Sequence, residues 1–312
     1  MPAFDHRPAF RLVITQKPVV RFYLLAPALA LTVTFVVAFL VYAGLCAAGR
    51  APAVRAVKHN ELFGPFFASF LVWVIQPFER LLVGRVSPNV VTFASLALCG
   101  VTGFAAALGH LAGAVWLYVF AGILDVLDGR LARRSGRQTS AGALVDSVAD
   151  RWGELFAFAG YAWFLHDSPW LLAVFAALGG STMVSYTRAR AEGLGLSVRG
   201  GLMQRAERIV LVAGGTLLAA WYGVDDLDTA ATILGATMLL CGVASTGTAL
   251  NRWITAFRQL AVREAAPAGA RAPKPLAPAP VRALEQHCSG DRRDRVRRSS
   301  RSPVRGRPRP GP

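Results

Sequence analysis

Long apolar stretches broken by short polar links dominate the chain, with neither the alternation of half-buried strands nor the one-sided stripes of soluble helices. From Ser87-Pro88 onward six apolar segments follow at about 88–108, 111–127, 141–165, 169–187, 207–223 and 229–250. Their lengths suit helices that cross or nearly cross a hydrocarbon layer about 30 Å thick. Pro88 is tolerated in a first helical turn, and Ser87 is placed to cap it. Upstream, Phe22 to Ala48 is uncharged and too long for a signal-peptide core. It also lacks a small-residue cleavage site, so it reads as a further membrane helix. After the polar link Arg50 to Asn60, Leu62 to Leu82 is dense in Phe and Trp and carries Pro65, Pro77, Glu79 and Arg80. That mixture suits an interfacial helix lying among headgroups, with a short span as the competing reading. The fold class expected is all-α, a polytopic membrane bundle of six helices plus the N-terminal membrane helix and the interfacial aromatic one. The divisions are 1–60, 61–84, 85–258 and a basic tail at 264–312.

Charge orients this bundle. The links at Gly109-His110, His166 to Ser168 and Asp225 to Asp228 carry no Lys or Arg, whereas Gly129 to Arg137 holds four and Arg188 to Arg208 five. Positive loops stay in the cytoplasm, so the two basic links and both ends of the six-helix unit share that side. The first residues fit less well: one span at 22–48 leaves Arg7, Arg11, Lys17 and Arg21 outside, and a second span at 62–82 strands Arg50, Arg55 and Lys58 instead.

Composition agrees with an integral membrane protein: 312 residues, 54% hydrophobic, 17% charged, formal net charge +16. From Glu264 onward twelve Lys or Arg stand against four Asp or Glu, half of that net charge, in an Ala, Pro, Arg and Ser context that cannot bury a core. Anionic lipid is the natural counterpart of such a tail; a purely solvated tail is the alternative, and no specific nucleic-acid partner is expected. Cys46, Cys99, Cys241 and Cys288 show neither metal-type spacing nor a disulfide framework.

Chemistry concentrates in Asp125-Val126-Leu127-Asp128-Gly129-Arg130-Leu131-Ala132-Arg133 and, eight residues on, Gly142-Ala143-Leu144-Val145-Asp146-Ser147-Val148-Ala149-Asp150. An ionised Asp at mid-bilayer costs roughly 2.5–3.5 kcal/mol. On a helix Asp125 and Asp128 share a face, as do Asp146 and Asp150, so two helices joined by a turn can aim all four at one point. Either pair alone reads most simply as solvated caps; the two together, flanked by membrane-length segments, call for cations. Arg130, Arg133, Arg134 and Arg137 lie in the expected turn, free to face water or lipid phosphate. One or two hard divalent ions answer the charge better. Gly129 and Gly142 leave room for a bulky group near backbone.

The order Asp, two residues, Asp-Gly, two residues, Ala-Arg, eight residues, Gly, three residues, Asp, three residues, Asp resembles the signature of the CDP-alcohol phosphotransferases over about residues 85–255. The resemblance implies that Asp125, Asp128, Asp146 and Asp150 bind two Mg²⁺ or Mn²⁺ ions and that Asp150 is also the base that deprotonates the acceptor hydroxyl. It implies that Gly129, Ala132, Arg133 and Gly142 line the CDP moiety of CDP-diacylglycerol or another CDP-alcohol. It also brings homodimerisation as an expectation. Further on, Ser185-Tyr186-Thr187-Arg188-Ala189-Arg190-Ala191-Glu192 and Gly200-Gly201-Leu202-Met203-Gln204-Arg205-Ala206-Glu207-Arg208 resemble the acceptor region of bacterial phosphatidylinositol-phosphate synthases. That likeness makes Arg188, Arg190, Arg205, Arg208 and Arg252 candidates for gripping the phosphate of a phosphorylated polyol, inositol phosphate. The sequence departs from those enzymes at Arg188, Gln204 and Ala206. Orientation alone would also account for arginines in a cytosolic loop.

The expected activity is transfer of a phosphatidyl group from CDP-diacylglycerol to a polar alcohol with release of CMP. Glycerol 3-phosphate is the alternative acceptor. The place expected is a bacterial cytoplasmic membrane, site facing inward and surrounded by lipid. A cation transporter using the aspartates as an intramembrane site is the rival class, which their position at helix ends disfavours.

Overall fold

The computed structural model describes residues 18–50, 64–198, 200–223 and 226–265. The first seventeen residues, most of the 50–60 link, Cys288 and the basic tail after Ala265 lie outside them. Eight helices account for all regular structure among the described residues: α1 Pro18–Ala47, α2 Gly64–Leu82, α3 Pro88–Ala107, α4 Leu111–Arg134, α5 Ser140–Phe164, α6 Leu171–Gly193, α7 Arg205–Tyr222 and α8 Leu227–Ala265. Four of them, in α1, α3, α4 and α8, are long and apolar enough to cross a membrane. Charged residues in the last turns of α6, in the first turn of α7 and at Asp146, Asp150, Arg151 and Glu154 within α5 lower the mean hydropathy of those helices.

Helix and apolar run do not end together. The expected turn at Gly129 to Arg137 is helical as far as Arg134, and the chain reverses only at Gly136, whose φ of 64° suits glycine. Helix α6 likewise continues to Gly193 and α8 to Ala265. Leu, Ala and Arg are good helix formers whether or not lipid surrounds them, so polarity marks the edge of the membrane and not the end of the helix. Ser87 occupies the N-cap of α3 but makes no side-chain cap bond; at α5 the Thr139 hydroxyl accepts the Gly142 N–H at 3.0 Å. Before α8, hydrogen bonds from Thr229 and the Asp228 backbone hold the Asp226 carboxyl below its ordinary range.

Two three-helix groups make the bundle, α3–α4–α5 and α6–α7–α8, joined along α4 against α7 and α5 against α6. Small residues fill the interior: Ala106, Ala114, Ala157, Ala177, Ser181 and Thr216 are essentially inaccessible, around Phe158, Tyr161, Leu234 and Met238. Phe104, Leu172 and Val243 point outward, an arrangement that suits a lipid solvent. The closest approach is α3 to α5. A Cβ on Gly160 would stand 1.9 Å from the Gly103 carbonyl oxygen, so those backbones meet only because both residues lack one. Helix α1 seats on α2 and α4 through Phe35 and Phe39, each edge-on to Phe70, and through the Trp116 indole N–H, which donates to the Ala28 carbonyl at 3.0 Å.

Candidate active site

The carboxylates lie where the two groups of helices meet. Asp125 and Asp128, three apart on α4, face Asp146, the seventh residue of α5; one ligand oxygen from each lies within 4.8 Å of the others. Asp128 is buried, and its Oδ2 accepts the Thr92 hydroxyl at 2.6 Å from the first turns of α3. Ser95, three residues on, donates to the Ala121 carbonyl at 2.8 Å and fixes α3 against α4. Three hard oxygen donors converging from two helices fit a divalent cation such as Mg²⁺ or Mn²⁺.

Asp150 stands one turn beyond Asp146, outside this triad. Its Oδ1 lies 2.6 Å from Arg205 Nη1, and the same guanidinium nitrogen pairs with Asp125 Oδ2. Arg205 is the first residue of α7, so one side chain ties the carboxylate cluster to the other half of the bundle.

Beside it opens a cavity of about 160 Å³ lined by Asp150, Glu154, Ser185, Arg188, Gln204, Arg205, Arg208 and Arg252, among others. Arg208 is buried and donates through Nε to Glu154 Oε1 at 3.1 Å, with Nη2 on the same oxygen; its buried Nη1 has no hydrogen-bond partner among the described residues. The other Glu154 oxygen accepts the Ser181 hydroxyl at 2.5 Å. Arg252 donates to the carbonyls of Gly200 and Val184, both at 2.9 Å, and Arg188 pairs with Glu192 one turn along α6. Four of the five arginines singled out from sequence therefore meet at one hollow; Arg190 is exposed and lies outside its lining.

A Cβ at Gly129 would meet the Arg133 guanidinium at 3.4 Å, and one at Gly142 would stand 3.1 Å from Thr139 Oγ1. Ala132 is half-buried and Arg133 exposed. Arg130 and Arg134 do not face the site: both pair with Glu79 on α2. Three site partners escaped the sequence, namely Thr92, Glu154 and Glu79. Glu154 continues the i, i+4 series of Asp146 and Asp150, a regularity visible in the chain; the other two carry no local mark.

Residues 85–257 match the family model described as CDP-alcohol phosphatidyltransferase. The phosphatidylinositol phosphate synthase of Streptomyces avermitilis is 33% identical over 239 residues, covering 72% of this chain and 95% of that protein. The one from Corynebacterium glutamicum is 31% identical over 211 residues, covering 64% and 92%. Among solved structures, Mycobacterium tuberculosis phosphatidylinositol phosphate synthase with CDP-DAG bound superposes with a TM-score of 0.53 at 30% identity, over 59% of this chain and 94% of that one. The same enzyme in complex with manganese and citrate gives 0.52 at 30% identity, over 58% and 88%.

Proposed function

The chain belongs to the CDP-alcohol phosphatidyltransferase family, and we propose that it transfers a phosphatidyl group from CDP-diacylglycerol to inositol phosphate, releasing CMP. Family membership makes it a membrane transferase; donor, acceptor and residue roles are the proposal. The observation that carries it is the junction at Arg205, where an acidic triad fit for divalent cations adjoins a cavity lined by arginines. A diphosphate held by cations and a phosphorylated acceptor held by guanidinium groups would meet there. The solved relative with CDP-DAG and the one with manganese support the first half, and the names of the synthases support the second.

In this reading Asp125, Asp128 and Asp146 hold Mg²⁺ or Mn²⁺, with Asp150 completing the set where two ions bind. The ions supply neutralisation of the diphosphate and of the departing CMP. Gly129, Ala132, Arg133 and Gly142 line the CDP moiety. Arg188, Arg205, Arg208 and Arg252 orient the acceptor phosphate. Asp150, which borders both regions, takes the proton of the acceptor hydroxyl as its oxygen attacks the phosphatidyl phosphorus. The anhydride P–O bond breaks, CMP leaves with the electron pair, and Asp150 returns the proton to solvent. The site faces the cytoplasm of a bacterial cell from its inner membrane, and a homodimer is carried over from the family.

The test is reconstitution in lipid with CDP-diacylglycerol and, separately, inositol phosphate, glycerol 3-phosphate, serine and inositol. We expect CMP release that requires Mg²⁺ or Mn²⁺, a phosphatidylinositol phosphate product with inositol phosphate alone, and loss of CMP release in Asp150→Asn. Consumption of glycerol phosphate alone would overturn the acceptor and leave the reaction class standing. No CMP with any acceptor would remove the donor as well.

A further inference from the structure

Helix α2 lies outside the stretch that matches the family model, yet it grips the helix that carries the first two aspartates. Its inward face is Phe70, Val72, Ile75 and then Glu79, a carboxylate with 1% of its surface exposed. Glu79 Oε2 accepts Arg130 Nε at 3.1 Å and Nη2 at 3.0 Å, while Oε1 pairs with Arg134 Nε at 3.2 Å. The two arginines are one turn apart at the end of α4. Beside them Ile75 packs with Val91, Leu127 and Leu131. Leu127, Arg130 and Leu131 surround Asp128 in sequence, so every one of these contacts bears on the segment that presents that carboxylate.

The geometry is that of a grip from behind. Two residues advance a helix by about 200°, so Arg130 projects from the face of α4 opposite Asp128. Rotation of α4 about its axis would swing Asp125 and Asp128 away from Asp146, and the paired arginines oppose it. Apolar packing alone would hold α2 in place with less desolvation than a buried carboxylate demands, so cohesion does not explain Glu79. The pairing also sorts the cations of the last turn: Arg130 and Arg134 are taken by Glu79, and Arg133, beside Gly129, is left on the donor side.

We propose that Glu79 is a positioning residue which, through Arg130 and Arg134, fixes the rotation of α4 and so the convergence of Asp125 and Asp128 on Asp146. This rests on reading those three carboxylates as metal ligands. The experiment is a titration of Mn²⁺ by electron paramagnetic resonance on full-length protein in lipid nanodiscs, with donor and acceptor KM measured on the same samples. Glu79→Gln, nearly isosteric, should weaken Mn²⁺ binding and raise the donor KM about tenfold, the lower end of what losing an outer-shell partner costs a metal site. The acceptor KM should stay unchanged, because the arginine cavity belongs to α5–α8. Arg134→Gln, at a partly exposed position that tolerates substitution, should shift Mn²⁺ affinity the same way and less. A lowered thermal midpoint with Mn²⁺ affinity unchanged in both variants would make Glu79 merely structural and overturn the proposal. Mn²⁺ binding that survives Asp128→Asn in otherwise wild-type protein would overturn the metal reading itself.

Discussion

A guanidinium with 2% of its surface exposed has to be explained by what surrounds it, and Arg208 is surrounded by Glu154 and, through it, Ser181. Both charges have lost water, so their attraction offsets a desolvation cost that neither residue could bear alone. Glu154→Leu should therefore destabilise the protein by about 3–5 kcal/mol, since it strands a buried cation. Arg208→Met in the same chain should restore most of that loss while leaving CMP release abolished. Thermal unfolding in detergent beside a CMP assay checks both halves; equal stability of single and double variants would show the pair to be uncoupled. Arg205 differs in kind. It is partly exposed, and it binds carboxylates that the proposed chemistry needs for cations.

Between elements, what decides the site is how closely α3 and α5 can approach. The Gly103–Gly160 contact seats α3 on α5, the two helices that bring Thr92 and Asp146 to the carboxylates of α4. Gly160→Ala forces a Cβ onto a backbone carbonyl and has no flexible side chain to displace. The expected cost is about 1–3 kcal/mol, with a drop in CMP release, measured as thermal midpoint and rate together. Six apolar segments and their order could be read from hydropathy alone, because lipid imposes length and uniform polarity on any segment it surrounds. The aspartate face was legible too, since three- and four-residue spacing fixes direction on a helix. The fate of the neighbouring arginines was not. Arg130 and Arg134 look solvated in the sequence because their partner lies 51 residues upstream of Arg130, on a helix whose aromatic composition suggests a membrane surface or a short span. Helix ends are hidden for a related reason, as α4 and α6 extend past the apolar run into the charged turns that build the site.

At the scale of the whole molecule, the alternation of helix direction and the distribution of charge converge on one end of the bundle. Helix α8, at 39 residues, is about 58 Å long against a hydrocarbon layer of about 30 Å, so its last turns must leave the membrane. There Arg252 donates to Gly200, and Arg263 to Leu194 at 3.4 Å, tying that overhang to the loop between α6 and α7. Arg205, at the start of α7, reaches across to Asp125 on α4, so the turn after α4 belongs to the same end. The links at Gly109-His110 and His166 to Ser168, which lack Lys and Arg, fall at the other. Positive loops are retained in the cytoplasm, so the proposed orientation turns the end with the carboxylates and arginines inward, toward the proposed phosphorylated acceptor. With Cys46, Cys99, Cys241 and Cys288 replaced by alanine, Arg137→Cys and Ser197→Cys should react with a membrane-impermeant maleimide in inverted vesicles only. Asp167→Cys should react in right-side-out vesicles only. All three positions are exposed, so labelling of Arg137→Cys and Asp167→Cys from one side would mean that α5 does not cross the bilayer.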